Sequence, residues 1–173
     1  MVWGDFQEGR NATLGGALLR YQKRFAGLVA GKRGLFHSDP VFAQFGMLKI
    51  GDLYRQQLRV HAWRFWRGLL PENQAAMLRR TADVHGYATR SAGSGLALTT
   101  RDHRSVGYKV PKEWGSLPVG LKGAGSLAAF KRQSRAGFLD GYGAFQCGVR
   151  SCYVCVPGEG VVGARSQRGM VAE

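Results

Sequence analysis

Acidic residues are scarce in this chain and never adjacent: eleven Asp and Glu are scattered singly against 25 Lys and Arg, for a formal net charge of +14. Such a surface repels cations and attracts polyanions, which puts nucleic acid first among expected partners, although positive charge can also serve solubility alone. Cysteine is rarer still. Cys147, Cys152 and Cys155 are the only three and all lie near the C-terminal end, so no disulfide framework can staple the main body, which must hold together by packing. No apolar run approaches the roughly 18 residues of a membrane span. The opening MVWGDFQEGR lacks the charged start and apolar run of a secretory signal. The expectation is a protein of the cytosol or nucleus, neither secreted nor membrane-embedded.

What is present suffices for a core. Hydrophobic residues make up 45% of the 173, with nine Phe, six Tyr and four Trp. The periodicities predict a mainly α fold. About four helices are expected over residues 1–142, with a loop-rich insertion, short strands at Leu96 to Leu98 and Ser105 to Tyr108, and a tail of little fixed structure over 143–173. In LGGALLRYQKRFAGLVA, Leu14, Leu18, Tyr21, Phe25 and Leu28 form a stripe expected to face inward, with Arg20, Lys23 and Arg24 mostly off it. In HSDPVFAQFG, Ser38 or Asp39 is the expected cap, Pro40 fits the first turn, and Gly46 ends the helix. The neighbouring His37, Ser38 and Asp39 cannot form a catalytic relay, and capping explains the acid. ENQAAMLRRTA reads as a further short helix, and Ser126 caps a last one with Leu127, Phe130 and Phe138 inward.

The strongest pattern runs from about Asp52 to Gly68. Ile50, Tyr54, Leu58, His61, Phe65 and Leu69 share an arc expected to face the core, while Arg55, Arg59, Trp63 and Arg67 recur every four residues on another. This second line is about 18 Å long and could follow phosphates, with guanidinium groups on oxygens and the indole stacked on a base. The plainer reading is a solvated face whose tryptophan covers a neighbouring element. Lys131, Arg132 and Arg135, outward on the last helix, complete the candidate nucleic-acid contacts. GSG at 93–95 lacks the spacing and the Lys-Ser or Lys-Thr ending of a phosphate loop. The C-x4-C-x2-C spacing of Cys147, Cys152 and Cys155 supplies three metal ligands without a fourth downstream, and a free thiol cluster is the plainer reading.

The order of several short motifs is more specific than any one of them. Trp3-Gly4 precedes YQKR at Tyr21 to Arg24; HSDPVF at His37 to Phe42 leads to LKIGDLY at Leu48 to Tyr54; LLPEN follows at Leu69 to Asn73 and HGYATR at His85 to Arg90. PKEWGSLP, Pro111 to Pro118, and SLAAFK, Ser126 to Lys131, complete the series. Over residues 2 to 139 the chain resembles the region after the palm, the thumb and beyond, in reverse transcriptases of non-LTR retrotransposons. Val110 and Gly115 depart from that pattern, standing where the family usually shows Gly and Asn. The resemblance implies an RNA-directed DNA polymerase as the parent protein, with an upstream palm as partner and Mg2+ held by paired palm aspartates. This sequence has no such pair, so the chain alone is expected to be inactive, to carry no cofactor, and to contribute sequence-independent grip on RNA or RNA–DNA hybrid. It also implies that the tryptophan corner at Pro111 to Pro118 docks the last helix. The alternatives are a free-standing basic nucleic-acid-binding module and a relic of a mobile element.

Overall fold

A computed structural model describes residues 14–32, 36–84, 95–99 and 102–143. Among the described residues the architecture is mainly α, with four longer helices and four short ones: α1 (Leu14–Val29), α2 (Ser38–Gln44), α3 (Ile50–Trp66), α4 (Glu72–Ala75), α5 (Thr81–Val84), α6 (Val106–Gly115), α7 (Val119–Lys122) and α8 (Leu127–Gly143). Two short strands, β1 (Arg79–Arg80) and β2 (Leu96–Ala97), pair antiparallel with Arg79 opposite Ala97. None of these helices is long and apolar enough to cross a membrane. The expected tail over 143–173, the HGYATR element and the three cysteines lie outside the described residues, save Gly143 at the end of α8.

Helix ends follow local chemistry. After α3, Gly68 adopts φ of 69°, which a residue with a Cβ rarely takes, and this lets Leu69 N–H reach the Arg64 carbonyl at 2.8 Å and Gly68 N–H reach that of Phe65 at 3.0 Å. The same closure ends α2 at Gly46 (φ 59°), with Met47 N–H on the Phe42 carbonyl. Ser126 caps α8 by accepting the Ala129 N–H at 3.2 Å. The cap expected of Ser38 or Asp39 is not made. His37 occupies the N-cap of α2, and Asp39 lies in the first turn, where its carboxylate pairs with Lys49 at 2.7 Å.

Two hydrophobic clusters build the core. One joins Leu58, Val60, Ala62 and Trp63 of α3 to Val110 and Trp114 of α6 and Phe130 of α8; the other joins Ala26 of α1, Val41 and Phe42 of α2, and Phe138 and Tyr142 of α8. Helix α8 serves both, because its buried residues Phe130, Ser134, Phe138 and Tyr142 recur every four positions on one face.

Three expectations fail for tertiary reasons. ENQAAMLRRTA is not one helix: Leu78 turns into the core, and Arg79 and Arg80 pair with β2 while the Arg80 guanidinium lies 4.8 Å from the Trp66 ring centre. Ser105 to Tyr108 is no strand but the start of α6, which runs through Pro111. Proline has no N–H to give the Gly107 carbonyl. Thr99 takes over that acceptor with its backbone N–H at 3.2 Å, while its hydroxyl lies 3.2 Å from the Met77 carbonyl and 3.4 Å from that of Gly107, and the helix continues past Pro111. The stripe on α1 faces outward. Tyr21, Phe25 and Leu28 are exposed, whereas the small Ala26 and Gly27 are buried. Helix α1 packs closely against α2 and α3 through this small-residue side; a Cβ on Gly27 would come within 2.5 Å of the Phe36 ring. Gln22 anchors the contact, donating to the Leu48 carbonyl at 2.7 Å and accepting the Ile50 N–H at 2.8 Å.

The corner at Pro111 to Pro118 is a packing device. Trp114 is fully buried, its ring 5.7 Å from that of Trp66, and Leu117 is buried beside it before Pro118 opens α7. Helix α7 in turn contacts α8.

Candidate nucleic-acid interface

Helix α3 is the hub of the fold, contacted by α1, α6 and α8, and this decides what its arginine line can do. The line faces solvent only in part: Trp63 is buried, Arg55 and Arg59 are half-buried, and Arg67 is exposed. Trp63 is 4% exposed, packs 5.9 Å from the Phe130 ring, and points its indole N–H at the Ala124 carbonyl, 3.4 Å away. The expectation of a base-stacking indole is therefore corrected. Both faces of α3 are apolar at intervals, and the face holding Val60 and Trp63 meets α6 and α8. The arc expected to be wholly interior is mixed: Leu58 is buried, Ile50, Tyr54, His61 and Phe65 are half-buried, and Leu69 is exposed.

Each arginine on that line has a partner within the protein, and Arg55 and Arg59 also line an open groove with Ser134 and Phe138. Arg55 Nε donates to Glu113 Oε1 at 2.9 Å and Arg59 Nε to Glu113 Oε2 at 3.2 Å, so one carboxylate of α6 clamps two successive turns of α3. Arg55 also lies 3.5 Å from Asp52, Arg59 reaches the Ser134 hydroxyl at 3.4 Å, and Arg59 stacks 4.2 Å over the Phe138 ring. Burial lowers the pKa of Arg59 from its ordinary value while Glu113 opposes the shift; guanidinium basicity keeps the group charged. Arg67 donates to the Ala124 carbonyl at 2.7 Å and lies over the Trp63 ring. These groups join α3 to α6 and to the turn before α8.

The cations of α8 are placed differently. Lys131, Arg132 and Arg135 are exposed, as the sequence indicates, and with Gln56, Gln57 and Val60 of α3 they line an open groove of about 390 Å3. The Lys131 carbonyl accepts from Gln56 at 3.2 Å, which ties the two walls together. Arg135 spends one N–H on the Gly46 carbonyl, and a guanidinium has four others. Among the described residues Lys131 and Arg132 make no ion pair, so their charges are open to an external anion. The groove thus has positive charge on one wall and amide donors and acceptors on the other. That combination suits phosphate and sugar oxygens without reading base identity.

The glutamines were absent from the sequence-based candidates because an isolated Gln has no motif, and only the α3–α8 crossing sets them beside the cations. Glu113 was missed for the same reason. It is the acid of α6 that pairs with Arg55 and Arg59. No group of three or more His, Cys, Asp or Glu able to hold a metal ion occurs among the described residues.

No protein-family model matches the chain, and neither the curated proteins nor the solved structures give a match.

Proposed function

We propose that the chain binds RNA or RNA–DNA duplex by its phosphate backbone through Lys131, Arg132 and Arg135, with Gln56 and Gln57 contacting sugar and phosphate oxygens. The observation that carries this reading is three exposed cations on one face of α8, bordering an open polar groove, in a chain of net charge +14. Arg55, Arg59 and Arg67 hold that face in place. The order of sequence motifs supports the wider reading, in which this is the post-palm portion of a non-LTR retrotransposon reverse transcriptase acting in cytosol and nucleus and leaving the chemistry to a palm with its Mg2+.

Fluorescence anisotropy with a labelled RNA–DNA hybrid over a range of salt tests the interface. Log affinity falls linearly with log salt, and Lys131→Ala/Arg132→Ala/Arg135→Ala flattens the slope by about 2 to 3, at roughly 0.7 to 0.9 for each phosphate no longer neutralised. An unchanged slope removes α8 from the interface. Translating the genomic DNA upstream of the Met1 codon for an in-frame palm with paired aspartates tests the wider reading.

The second reading is a free-standing binding module, favoured by the two clusters that α8 joins into one core. A single cooperative thermal transition of the isolated chain supports it.

A further inference from the structure

Helix α1 carries its most hydrophobic face on the outside. Leu18, Tyr21, Phe25, Leu28 and Val29 are exposed by 45%, 68%, 61%, 77% and 53%, respectively. At about 100° per residue they fall on one stripe running most of a helix about 24 Å long. One flank carries the exposed Arg20 and Arg24, and α1 has no acidic residue. The other flank holds Gln22, which is bound to the start of α3. A stripe of large apolar side chains bordered by arginine is costly to leave in water and marks an interaction surface. Its aromatics and arginines are the types that dominate the centres of protein interfaces.

From this arrangement we infer that α1 docks an acidic amphipathic helix of another protein, whose apolar spine lies along Leu18, Tyr21, Phe25 and Leu28 and whose carboxylates face Arg20 and Arg24. Charge complementarity selects this occupant. A second copy pairing antiparallel through α1 would set Arg20 and Arg24 against the same arginines of its partner, because a two-fold axis brings like flanks together. Parallel pairing would set them against the Gln22 flank, which its own α3 occupies. The net charge of +14 opposes either pairing further. An interfacial membrane helix characteristically spreads cations along a broad polar face. Here they border the stripe on one side only, and the opposite side of the helix packs on the protein.

The probe is a fluorescent synthetic peptide of about four helical turns, with Leu at helical a and d positions and Glu on its flanks, compared with the same peptide carrying Lys for Glu. Titration of the full chain at physiological salt is followed by anisotropy. The Glu peptide binds and the Lys peptide does not. Phe25→Ser and Leu28→Ser each weaken binding about tenfold or more, as expected for residues at an interface centre. Both positions are exposed, and retained thermal melting confirms folding. Arg20→Glu/Arg24→Glu reverses the preference in favour of the Lys peptide. Lys131→Ala/Arg132→Ala/Arg135→Ala leaves peptide binding unchanged, which separates this surface from the α8 groove. Equal binding of both peptides, persistence after Phe25→Ser, or loss with the α8 variant overturns the inference. Phe25-dependent sedimentation with phosphatidylserine-containing vesicles in place of peptide binding would assign the stripe to a membrane, and Phe25-dependent dimerisation would assign it to a second copy. Peptide binding that appears only after removal of residues 1–13 would assign it to the chain itself. Each of these also overturns an outside protein partner.

Discussion

The Tyr142 hydroxyl donates to the buried Asp52 carboxylate and accepts the Lys49 backbone N–H at 3.2 Å, fastening the end of α8 to the first turn of α3 across 90 residues of chain. Phe42 meets the same ring edge-on at 6.3 Å, and Lys49 Nζ lies 4.6 Å from its centre. One side chain thus closes the second hydrophobic cluster and satisfies an orphan donor at a helix start.

Tyr142→Phe leaves the Asp52 carboxylate and the Lys49 N–H without that partner, and costs about 1 to 3 kcal/mol in urea unfolding. Burial, followed by the hydrogen bond to Asp52, raises the pKa of Tyr142 above its ordinary value. A raised folded pKa gives stability that is complete below the unfolded value of about 10 and is lost as pH rises toward the folded one. The stability difference between wild type and Tyr142→Phe is therefore flat through neutral pH and shrinks above about pH 10.

His61 shows the opposite linkage. Burial, helped by the charge of Arg64, lowers its pKa. A base depressed in the folded state favours the unfolded, protonated chain as pH falls below about 6.5, so stability decreases from pH 7 to pH 5. His61→Asn reduces that acid sensitivity in thermal melts followed by circular dichroism. The effect is modest because the ring is only half-buried.

The arginine line and the α8 cations separate in experiment. Glu113→Gln removes the shared anion from Arg55 and Arg59 and lowers stability by about 2 kcal/mol in chemical denaturation. Arg55→Ala leaves the salt slope for RNA–DNA hybrid within experimental error, whereas Lys131→Ala reduces it by about 0.7 to 0.9. Equal slope changes in the two variants would return the arginine line to the interface.

Gly27→Ala drives a methyl group into the Phe36 ring, whose nearest atoms would lie 2.5 and 2.6 Å away. The expected loss is about 1 to 3 kcal/mol. Phe36→Leu removes those ring atoms, so the double variant loses less than the sum of the single ones in a thermodynamic cycle.

Sequence by itself determined the presence of α1, α2, α3 and α8, because their causes are local. The periodicity from about Asp52 to Gly68 and over 126–139, the stops at Gly46 and Gly68, the Ser126 cap and the exposure of Lys131, Arg132 and Arg135 each follow from a few neighbouring residues. Only tertiary structure decided which way the faces turned. Helix α3 is apolar on more than one side, and the meeting with α6 and α8 buried Trp63 and enlisted Arg55 and Arg59 in a clamp on Glu113. Helix α1 presents its large residues to solvent, while Ala26 packs in a cluster with Val41 and Phe42 of α2 and Gly27 lies against the Phe36 ring, where a larger side chain would not fit. The Gly107 carbonyl that Pro111 cannot serve is likewise met by Thr99, from outside α6. Such outcomes depend on the shape and spare hydrogen-bonding capacity of a partner, and a one-dimensional pattern carries neither.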